Sequence, residues 1–174
     1  MKRAVFLDRD GTLIEEVGFL RRIEDLRLFD FTKQALSILK EQGFLLIVVT
    51  NQSGINRGFF SQSDMEQIHL EIQKRLEGMI DAFYFCPHLP EENCFCRKPS
   101  LGMIEKASKD FSIDIGKSWT IGDKIIDLEL GIKAGTKTAL VLTGYGSLEL
   151  HRLRIKPDLV GANIFEVAKK IVYS

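Results

Sequence analysis

The chain has 174 residues, 45% hydrophobic and 28% charged, which is enough for one folded domain with its own core and argues against a disordered chain. Its 24 basic and 24 acidic residues balance, so the charge does not favour binding to nucleic acid or to an anionic membrane. No apolar run approaches the roughly 20 residues that span a bilayer, and the basic N-terminus carries no signal-peptide cleavage site, so we expect a cytoplasmic protein.

Short apolar runs alternate with segments of helical spacing along the whole chain. The apolar runs predict strands at residues 4–7, 44–49, 82–86, 119–121 and 138–142. The helical patterns predict helices at residues 31–42, 61–76, 102–111, 126–134 and 163–172. Strands that alternate with helices favour an α/β fold with a mainly parallel sheet and helices on both faces. We interpret residues 1–174 as one such domain and expect it to be a monomer.

Polar side chains follow the first predicted strand, at the edge where the carboxyl ends of parallel strands bind ligands. Asp8 and Asp10 are two residues apart in an extended segment, so both can face one site, and Gly11 allows a sharp turn. Two carboxylates suit a hard divalent cation such as Mg²⁺. Taken alone, the segment is equally typical of a solvated Asp-Gly turn.

Three further polar segments follow other elements of the predicted sheet. Residues 50–54, Thr-Asn-Gln-Ser-Gly, follow the second strand and form a neutral phosphate cradle with nearby N–H groups. Asp123 and Asp127 follow the fourth strand, and Arg97 and Lys98 come just before a helix. Each segment is also typical of a polar turn, a helix cap or a surface charge pair. Their shared position at one edge of the sheet predicts a single site.

The order of these segments resembles the haloacid dehalogenase superfamily of phosphohydrolases. The likeness runs from residue 4 to about residue 146, and its matching pieces are Asp8-x-Asp10-Gly11-Thr12, Thr50, Lys98 and Gly122-Asp123-x3-Asp127. The resemblance implies that Asp8 is a nucleophile that forms an aspartyl-phosphate. It implies that Asp10 is the general acid and base. Thr50 and Lys98 are then expected to hold the oxygens of the transferring phosphoryl group.

The same resemblance implies a catalytic Mg²⁺ ion. Its ligands map to the Asp8 side chain, the main-chain carbonyl of Asp10 and Asp123. We expect Asp127 to orient Lys98 or its loop rather than to bind the metal. Only residues 13–29 separate the first strand from the first helix, which leaves no room for the cap domain that many relatives insert there. The resemblance therefore implies a capless domain with an open site.

A short Pro-rich loop holds all three cysteines and one histidine: Cys86, His88, Cys94 and Cys96. Three thiolates and one imidazole are a full tetrahedral ligand set for structural Zn²⁺. The spacing differs from the common Cys-x-x-Cys knuckle, and buried cysteines without a ligand are the alternative, although a polar loop is a poor place to bury thiols. An odd number of clustered cysteines also favours a reducing cytoplasm over disulfides. Lys98 lies two residues beyond Cys96, at most about 7 Å of chain, so zinc would hold the basic pair near the phosphate site.

The loop Cys-x-His…Cys-x-Cys-Arg-Lys-Pro resembles one branch of these phosphatases. That branch contains the D-glycero-D-manno-heptose 1,7-bisphosphate 7-phosphatases and the histidinol-phosphate phosphatases. The short loop resembles the histidinol-phosphate enzymes at least as much, whereas residues 53–58, 122–124 and 143–146 favour the heptose enzymes. The first likeness implies hydrolysis of the 7-phosphate of a phosphorylated sugar, in the synthesis of nucleotide-activated heptose for lipopolysaccharide. The second implies histidinol-phosphate hydrolysis in histidine synthesis.

The resemblance also implies which residues line the substrate: Glu16, Val17, Gly18, Phe19, Asn51, Gln52, Ser53, Arg97 and Lys124. We add Arg57, because Arg57, Arg97 and Lys124 together can bind the remote phosphate of a bisphosphate. Histidinol phosphate carries an amine instead, for which Glu15 and Glu16 are candidate partners.

Rival functions rest on weaker features. A zinc-stabilised binding module that has lost catalysis should lack the nucleophile or the acid, and both aspartates are present. A DNA 3′-phosphatase domain shares the superfamily signature, but the zinc loop is not expected there. His69 and His151 have no neighbours at metal-ligand spacing, so we interpret both as structural or surface residues.

Overall fold

The computed structural model describes residues 1–173 and contains one six-stranded sheet. Its strands are β1 (Ala4–Leu7), β2 (Leu45–Asn51), β3 (Ala82–Cys86), β4 (Trp119–Gly122), β5 (Lys137–Val141) and β6 (Leu159–Gly161). They lie in the order β3-β2-β1-β4-β5-β6, and every neighbouring pair is parallel. The helices are α1 (Thr32–Glu41), α2 (Gln62–Arg75), α3 (Gly102–Phe111), α4 (Ile125–Ala134), α5 (Gly146–Leu150) and α6 (Ile164–Tyr173).

Helices cover both faces of the sheet, and the central strand β1 shows why. Its four side chains are fully buried and alternate between the two faces, as the period of a strand requires. Val5 and Leu7 belong to a core with apolar residues of α1, α2 and α6. Ala4 and Phe6 belong to a second core with residues of α3 and α4. The predicted fold class, a mainly parallel sheet between two helical layers, is therefore confirmed.

The predicted elements agree with the observed ones to within two residues at each end. Two elements were not predicted from the sequence. Strand β6 has only three residues, and its place is decided by pairing with β5. Helix α5 has five residues and begins at a glycine, so its helical pattern is too short to detect.

Four strands end at the same edge of the sheet, and each delivers a predicted site residue there. Asp8 follows β1, Thr50 and Asn51 end β2, Cys86 ends β3, and Asp123 follows β4. Between β1 and α1 the described chain forms loops and one short 3-10 helix, Ile23–Asp25. Within residues 1–173, no helix has both the length and the apolar character needed to span a membrane.

Candidate active site

The buried ammonium group of Lys98 contacts the residue that follows β1 and residues of β2 and α4. Lys98 Nζ donates to Asp8 Oδ1 and to Asp127 Oδ1, each at 2.7 Å, and to the main-chain oxygen of Val49 at 3.0 Å. Only 4% of Lys98 is exposed to solvent. The contact with Asp127 fits the orienting role that the sequence predicts for that residue. All three N–H donors of this ammonium are therefore engaged within the protein.

The opposite charges of Lys98 and Asp8 stabilise the ionised forms of both groups. Burial works to lower the pKa of Lys98, but the carboxylates of Asp127 and Asp8 outweigh it and raise that pKa above its usual value. Burial likewise works to raise the pKa of Asp8, and the Lys98 ammonium outweighs it, so the pKa of Asp8 lies below its usual value. Asp8 is therefore a carboxylate at neutral pH, which is the form that can act as a nucleophile.

Asp123 has a different environment from Asp8. Its Oδ2 accepts the Tyr145 N–H at 2.9 Å, while its buried Oδ1 has no hydrogen-bond partner within the described residues. Burial, and then the nearby carboxylates of Asp8 and Asp127, raise the pKa of Asp123 to about 9. An orphaned carboxylate oxygen beside other carboxylates indicates that a further positive charge belongs there.

The arrangement of the carboxylates fits a hard divalent cation. One oxygen from each of Asp8, Asp123 and Asp127 lies within 4.8 Å of the other two. When all three carboxylates are ionised, they face a single buried ammonium, that of Lys98, and the cluster then has an excess of negative charge. Because Mg²⁺ prefers oxygen ligands and binds beside phosphate, the Asp8 and Asp123 carboxylates fit the predicted magnesium site, while Asp127 is bonded to Lys98.

Two glycines lie against Asp123 and leave no space for a side chain. Gly11 has a φ of +84° and Gly144 a φ of +55°, and a Cβ atom built on either would overlap Asp123 Oδ2. Thr143 Oγ1 donates to the main-chain oxygen of Gly11 at 2.6 Å, which joins the two glycine turns. The orientation of Asp123 therefore depends on close packing of the loops after β1 and β5.

Replacing Gly144 by alanine is expected to weaken magnesium binding, because the added Cβ must displace Asp123. We expect the dissociation constant for Mg²⁺, measured by isothermal titration calorimetry, to rise by about tenfold or more. Gly43→Ala is the matched control, since Gly43 also has a positive φ, +81°, but nothing lies within 4 Å of its added Cβ. Equal Mg²⁺ affinities in the two variants would contradict this placement of the metal.

The Asp10 carboxylate is held by three N–H donors below the cleft. Arg9 Nε and Nη2 each donate to it at 3.0 Å, and Gln52 Nε2 donates at 3.0 Å. Gln52 Oε1 accepts from Arg9 Nη2 at 3.2 Å, and Gln52 Nε2 also donates to Thr50 Oγ1 at 2.8 Å. Since the Thr50 oxygen accepts this bond, its own hydroxyl proton points elsewhere and is available to another acceptor.

Sequence reasoning missed Arg9 and His69. Arg9 is 1% exposed although it lies in a polar motif at the end of a strand, where an arginine is ordinarily solvated. Arg9 Nη1 lies 3.2 Å from His69 Nε2, and the His69 ring stacks on Phe83 with centroids 4.5 Å apart. Burial, and then the Arg9 charge, lower the pKa of His69 to about 3, so the ring is neutral. The position of Arg9 between two site aspartates was the one available signal.

A cleft of about 320 Å³ opens above these groups, within the size range of sites for small molecules. Nine of the ten predicted substrate residues line it: Glu16, Gly18, Phe19, Asn51, Gln52, Ser53, Arg57, Arg97 and Lys124. The tenth, Val17, has an exposed side chain that lines an adjoining groove together with Phe19. Glu15 is exposed and does not line the cleft, whereas Tyr145 and Ile126 line it and were not predicted.

Three cations line the cleft without a carboxylate partner. Within residues 1–173, Arg57, Arg97 and Lys124 form no ion pair. The Arg57 Nε donates to Ser53 Oγ at 3.3 Å, and the Lys124 Nζ lies 4.8 Å from the centroid of the Tyr145 ring. Unpaired cations at the mouth of a cleft attract an anion, and a phosphate group meets this requirement.

The cysteine loop brings its four donors together. Cys86 Sγ lies 3.1 Å from Cys96 Sγ and 3.5 Å from Cys94 Sγ, and the Sγ atoms of Cys94 and Cys96 are 3.5 Å apart. His88 Nδ1 lies 3.3 Å from Cys86 Sγ and 3.2 Å from Cys96 Sγ. Three sulfur atoms and one ring nitrogen within 4.8 Å of one another fit the predicted tetrahedral zinc site.

This loop is attached directly to the cleft. Asn51 Oδ1, at the end of β2, accepts the Lys98 N–H at 3.0 Å, and Arg97 Nη1 donates to the main-chain oxygen of His88 at 3.1 Å. The Arg97 N–H also lies 3.3 Å from Cys94 Sγ. The position of the basic pair therefore depends on the cluster of cysteines and histidine.

Replacing Cys96 by serine is expected to remove the zinc and destabilise the loop. We expect metal analysis to show about one zinc per wild-type chain and far less in the variant. The melting temperature should fall by about 5–10 °C, which corresponds to about 2–3 kcal/mol in a domain of this size. Glu91→Gln changes an exposed, non-ligand residue of the same loop and should leave both values unchanged. Full zinc content in the Cys96 variant would contradict the ligand set.

Two family models match the chain. The polynucleotide kinase 3 phosphatase model matches residues 3–126, and the HAD-hydrolase-like model matches residues 95–167. Both describe phosphatases or hydrolases of the haloacid dehalogenase type, and together they cover the two aspartates of the β1 motif, the zinc loop and Asp123.

Individual proteins are similar over most of the chain. The D-glycero-beta-D-manno-heptose-1,7-bisphosphate 7-phosphatase of Haemophilus ducreyi is 43% identical over 82% of this chain and 85% of its own. The D-glycero-alpha-D-manno-heptose-1,7-bisphosphate 7-phosphatase of Photorhabdus laumondii is 35% identical over 97% of this chain and 96% of its own.

A solved structure agrees with these sequence comparisons. The D,D-heptose 1,7-bisphosphate phosphatase of B. bronchiseptica, in complex with magnesium and phosphate, is 28% identical, has a TM-score of 0.92 and covers 98% of each chain. Three findings point to the same family: the sequence identity to the heptose phosphatases, the match of residues 3–126 to the phosphatase model, and the fold shared with the solved heptose phosphatase. The residues that line the cleft agree with this assignment. This chain belongs to the haloacid dehalogenase superfamily of phosphatases and, within it, to the family of the heptose-1,7-bisphosphate 7-phosphatases.

Proposed function

We propose that this enzyme removes the 7-phosphate of a D-glycero-D-manno-heptose 1,7-bisphosphate, through a phosphoenzyme on Asp8 and with Mg²⁺ as cofactor. The observation that carries the proposal is the set of cations in the cleft. One end of the cleft holds the nucleophile with its ammonium partner, Lys98, and its walls add the unpaired Arg57, Arg97 and Lys124. A substrate with two phosphates uses both features.

Asp8 begins the reaction as an ionised carboxylate. One of its oxygens attacks phosphorus, the bond between phosphorus and O7 of the sugar breaks, and the phosphoryl group passes to the Asp8 side chain. Asp8, Asp123 and the main-chain carbonyl of Asp10 would hold a Mg²⁺ ion, which would supply positive charge against the repulsion between carboxylate and phosphoryl oxygens. The Thr50 hydroxyl donates to a phosphoryl oxygen. Lys98 acts mainly through its charge, because its three N–H donors already have acceptors.

Asp10 handles the protons in both half-reactions. In its protonated form it gives a proton to O7 as the sugar leaves, and the resulting carboxylate then accepts a proton from the water that attacks the phosphoenzyme, which restores the acid. That water breaks the bond between phosphorus and the Asp8 oxygen, so phosphate is released and Asp8 is a carboxylate again. Asp10 lies at the edge of the cleft, and its side chain is 14% exposed, which is enough access for this exchange.

The cleft favours a bisphosphate over histidinol phosphate. Among the described residues, Glu16 is the one glutamate that lines it, and burial and the nearby Asp10 raise the pKa of Glu16. Arg57, Arg97 and Lys124 instead supply bidentate and point-charge contacts for a second phosphate. The names of the similar proteins include both the alpha and the beta anomer of the heptose.

The proposal also covers the pathway that uses the product and the compartment in which the enzyme works. We propose that the product enters the synthesis of nucleotide-activated heptose for lipopolysaccharide. We also propose a cytoplasmic location, because three zinc-bound thiolates persist best in a reducing compartment.

Phosphate release with Mg²⁺ tests the function directly. The substrates are the two anomers of heptose 1,7-bisphosphate and histidinol phosphate, and Asp8→Asn is the blank. We expect kcat/KM for a heptose anomer to exceed that for histidinol phosphate by at least about tenfold, or about 1.4 kcal/mol of transition-state discrimination. The reverse order would favour histidinol phosphate as the substrate. Turnover of none of the three compounds would contradict the proposed function.

A further inference from the structure

A buried chain of hydrogen bonds runs from His69 on helix α2 through Arg9 to the carboxylate of Asp10. Its central group is the Arg9 guanidinium, which is almost fully buried below the cleft. Arg9 Nε and Nη2 both bind the carboxylate of Asp10, and Nη2 also binds Gln52 Oε1. The remaining nitrogen, Nη1, contacts His69 Nε2 at 3.2 Å. Four contacts from one side chain therefore fix the plane of the guanidinium.

His69 is the end of this chain that lies farthest from the cleft. A guanidinium has only donors, so the Nε2 of His69 must be the acceptor and the ring must be neutral. The imidazole stacks on Phe83 of β3, with 18° between the ring planes, which fixes the direction of Nε2. The tertiary fold thus places the His69 Nε2 acceptor, 60 residues along the chain, next to Arg9 Nη1. Nη1 is the guanidinium nitrogen that does not contact Asp10.

We infer that His69 is a positioning residue for the general acid–base step, because it holds Arg9 and, through Arg9, the carboxylate of Asp10. This inference rests on the proposed roles of Asp8 and Asp10. Proton transfer needs Asp10 within hydrogen-bond reach of the leaving oxygen, about 2.6–3.2 Å. Without His69 the buried Nη1 has no acceptor, and Arg9 must turn to find one. Asp10 then loses the two Arg9 donors and keeps only the Gln52 Nε2 donor, which does not fix its orientation alone.

If His69 only supported packing, its loss would lower kcat/KM equally for all substrates. A comparison of two leaving groups therefore distinguishes a packing role from a positioning role. The alkoxide of a sugar needs a proton as it departs, whereas p-nitrophenolate leaves without one. The first step therefore needs Asp10 for the sugar phosphate and hardly needs it for p-nitrophenyl phosphate. Since kcat/KM reports the steps up to formation of the phosphoenzyme, it isolates this difference.

The test variant is His69→Leu, which keeps an apolar side chain of similar size but removes the acceptor. We expect kcat/KM for heptose bisphosphate to fall at least tenfold, and kcat/KM for p-nitrophenyl phosphate to fall less than about threefold. Water attack on the phosphoenzyme also needs Asp10, so stopped-flow experiments with p-nitrophenyl phosphate should show a burst of p-nitrophenol in the variant. His69→Gln offers an oxygen acceptor and should recover most of the loss.

Ile72→Ala is the matched control for packing. Ile72 is a fully buried core residue of α2, three positions beyond His69, and its truncation leaves both the His69 acceptor and the Phe83 ring in place, so it should lower the melting temperature without changing the ratio of the two kcat/KM values. Equal losses on both substrates in His69→Leu, or no recovery in His69→Gln, would overturn the inference. Failure of the wild-type enzyme to hydrolyse either substrate would instead count against the proposed function, which keeps the two failures distinct.

Discussion

Replacing Asp8 by asparagine is expected to abolish phosphate release, with a loss in kcat on the order of 10⁵-fold. The amide keeps the size of the side chain but cannot attack phosphorus as a carboxylate does, so no phosphoenzyme forms. We expect the fold to persist, because Asp8 is one of three crowded buried carboxylates, and the loss of its charge relieves the repulsion that raises the pKa of Asp123. Steady-state phosphate release and thermal unfolding measure the two effects.

Asp110→Asn is the matched control for this change. Asp110 is an exposed carboxylate on α3, bonded to Lys106 and to the Tyr84 hydroxyl, and it does not line the cleft. Its loss should leave kcat within about twofold. Intact-mass analysis after rapid acid quenching should detect a phosphoenzyme in this control and none in Asp8→Asn. A kcat within tenfold of wild type in the Asp8 variant would exclude Asp8 as the nucleophile.

Replacing Lys98 by methionine should remove activity and also destabilise the fold. In the wild-type structure, Asp8 and Asp127 each accept a hydrogen bond from Lys98 Nζ at 2.7 Å. The substitution leaves both carboxylates buried without this ammonium. Removal of one member of a buried ion pair costs about 3–5 kcal/mol in the free energy of unfolding, which urea denaturation can measure. We expect kcat to fall by about 10³-fold or more, because the charge that offsets the phosphoryl oxygens is lost.

The double variant Lys98→Met, Asp127→Asn separates the two effects of this change. It removes one of the two carboxylates that Lys98→Met leaves without a cation, so we expect it to regain part of the lost free energy of unfolding. It should regain no activity, since the ammonium is still missing. An unchanged free energy of unfolding in Lys98→Met would contradict the buried ion pairs, and recovered activity in the double variant would contradict the role of Lys98.

Surface loops form the walls of the cleft. The walls of the cleft come from the loop after β1, with Glu16 and Phe19, and from the loop after β2, with Arg57. The zinc loop supplies Arg97 and Lys98. A loop of this kind has little core of its own, so metal ligands take over the ordering that a cap or a hydrophobic core provides elsewhere. This arrangement is a physical reason for a cluster of candidate metal ligands to lie beside the cleft.

Much of the fold and of the candidate site could be predicted from local patterns. Strand β1 and helix α3 were predicted with the bounds that the structure has, because a buried strand and an amphipathic helix leave a clear period in the sequence. Cys86, His88, Cys94 and Cys96 were predicted as zinc ligands because three cysteines and a histidine at short spacing in a polar loop are typical of a metal site, and the structure brings their donor atoms within 4.8 Å of one another. Val17 was assigned to the cleft on resemblance alone, and its side chain lines the adjoining groove.

The sequence by itself determined the class of the fold, the acidic motif of β1, the zinc loop and the cations available for a phosphate, because each depends on residues that are close along the chain. Only the tertiary structure decided how distant residues meet. It placed His69 of α2 against Arg9, and it packed Gly144 and the Tyr145 N–H against Asp123. Such contacts depend on burial and on the pairing of separate loops, and neither the period nor the spacing of a single segment carries that information.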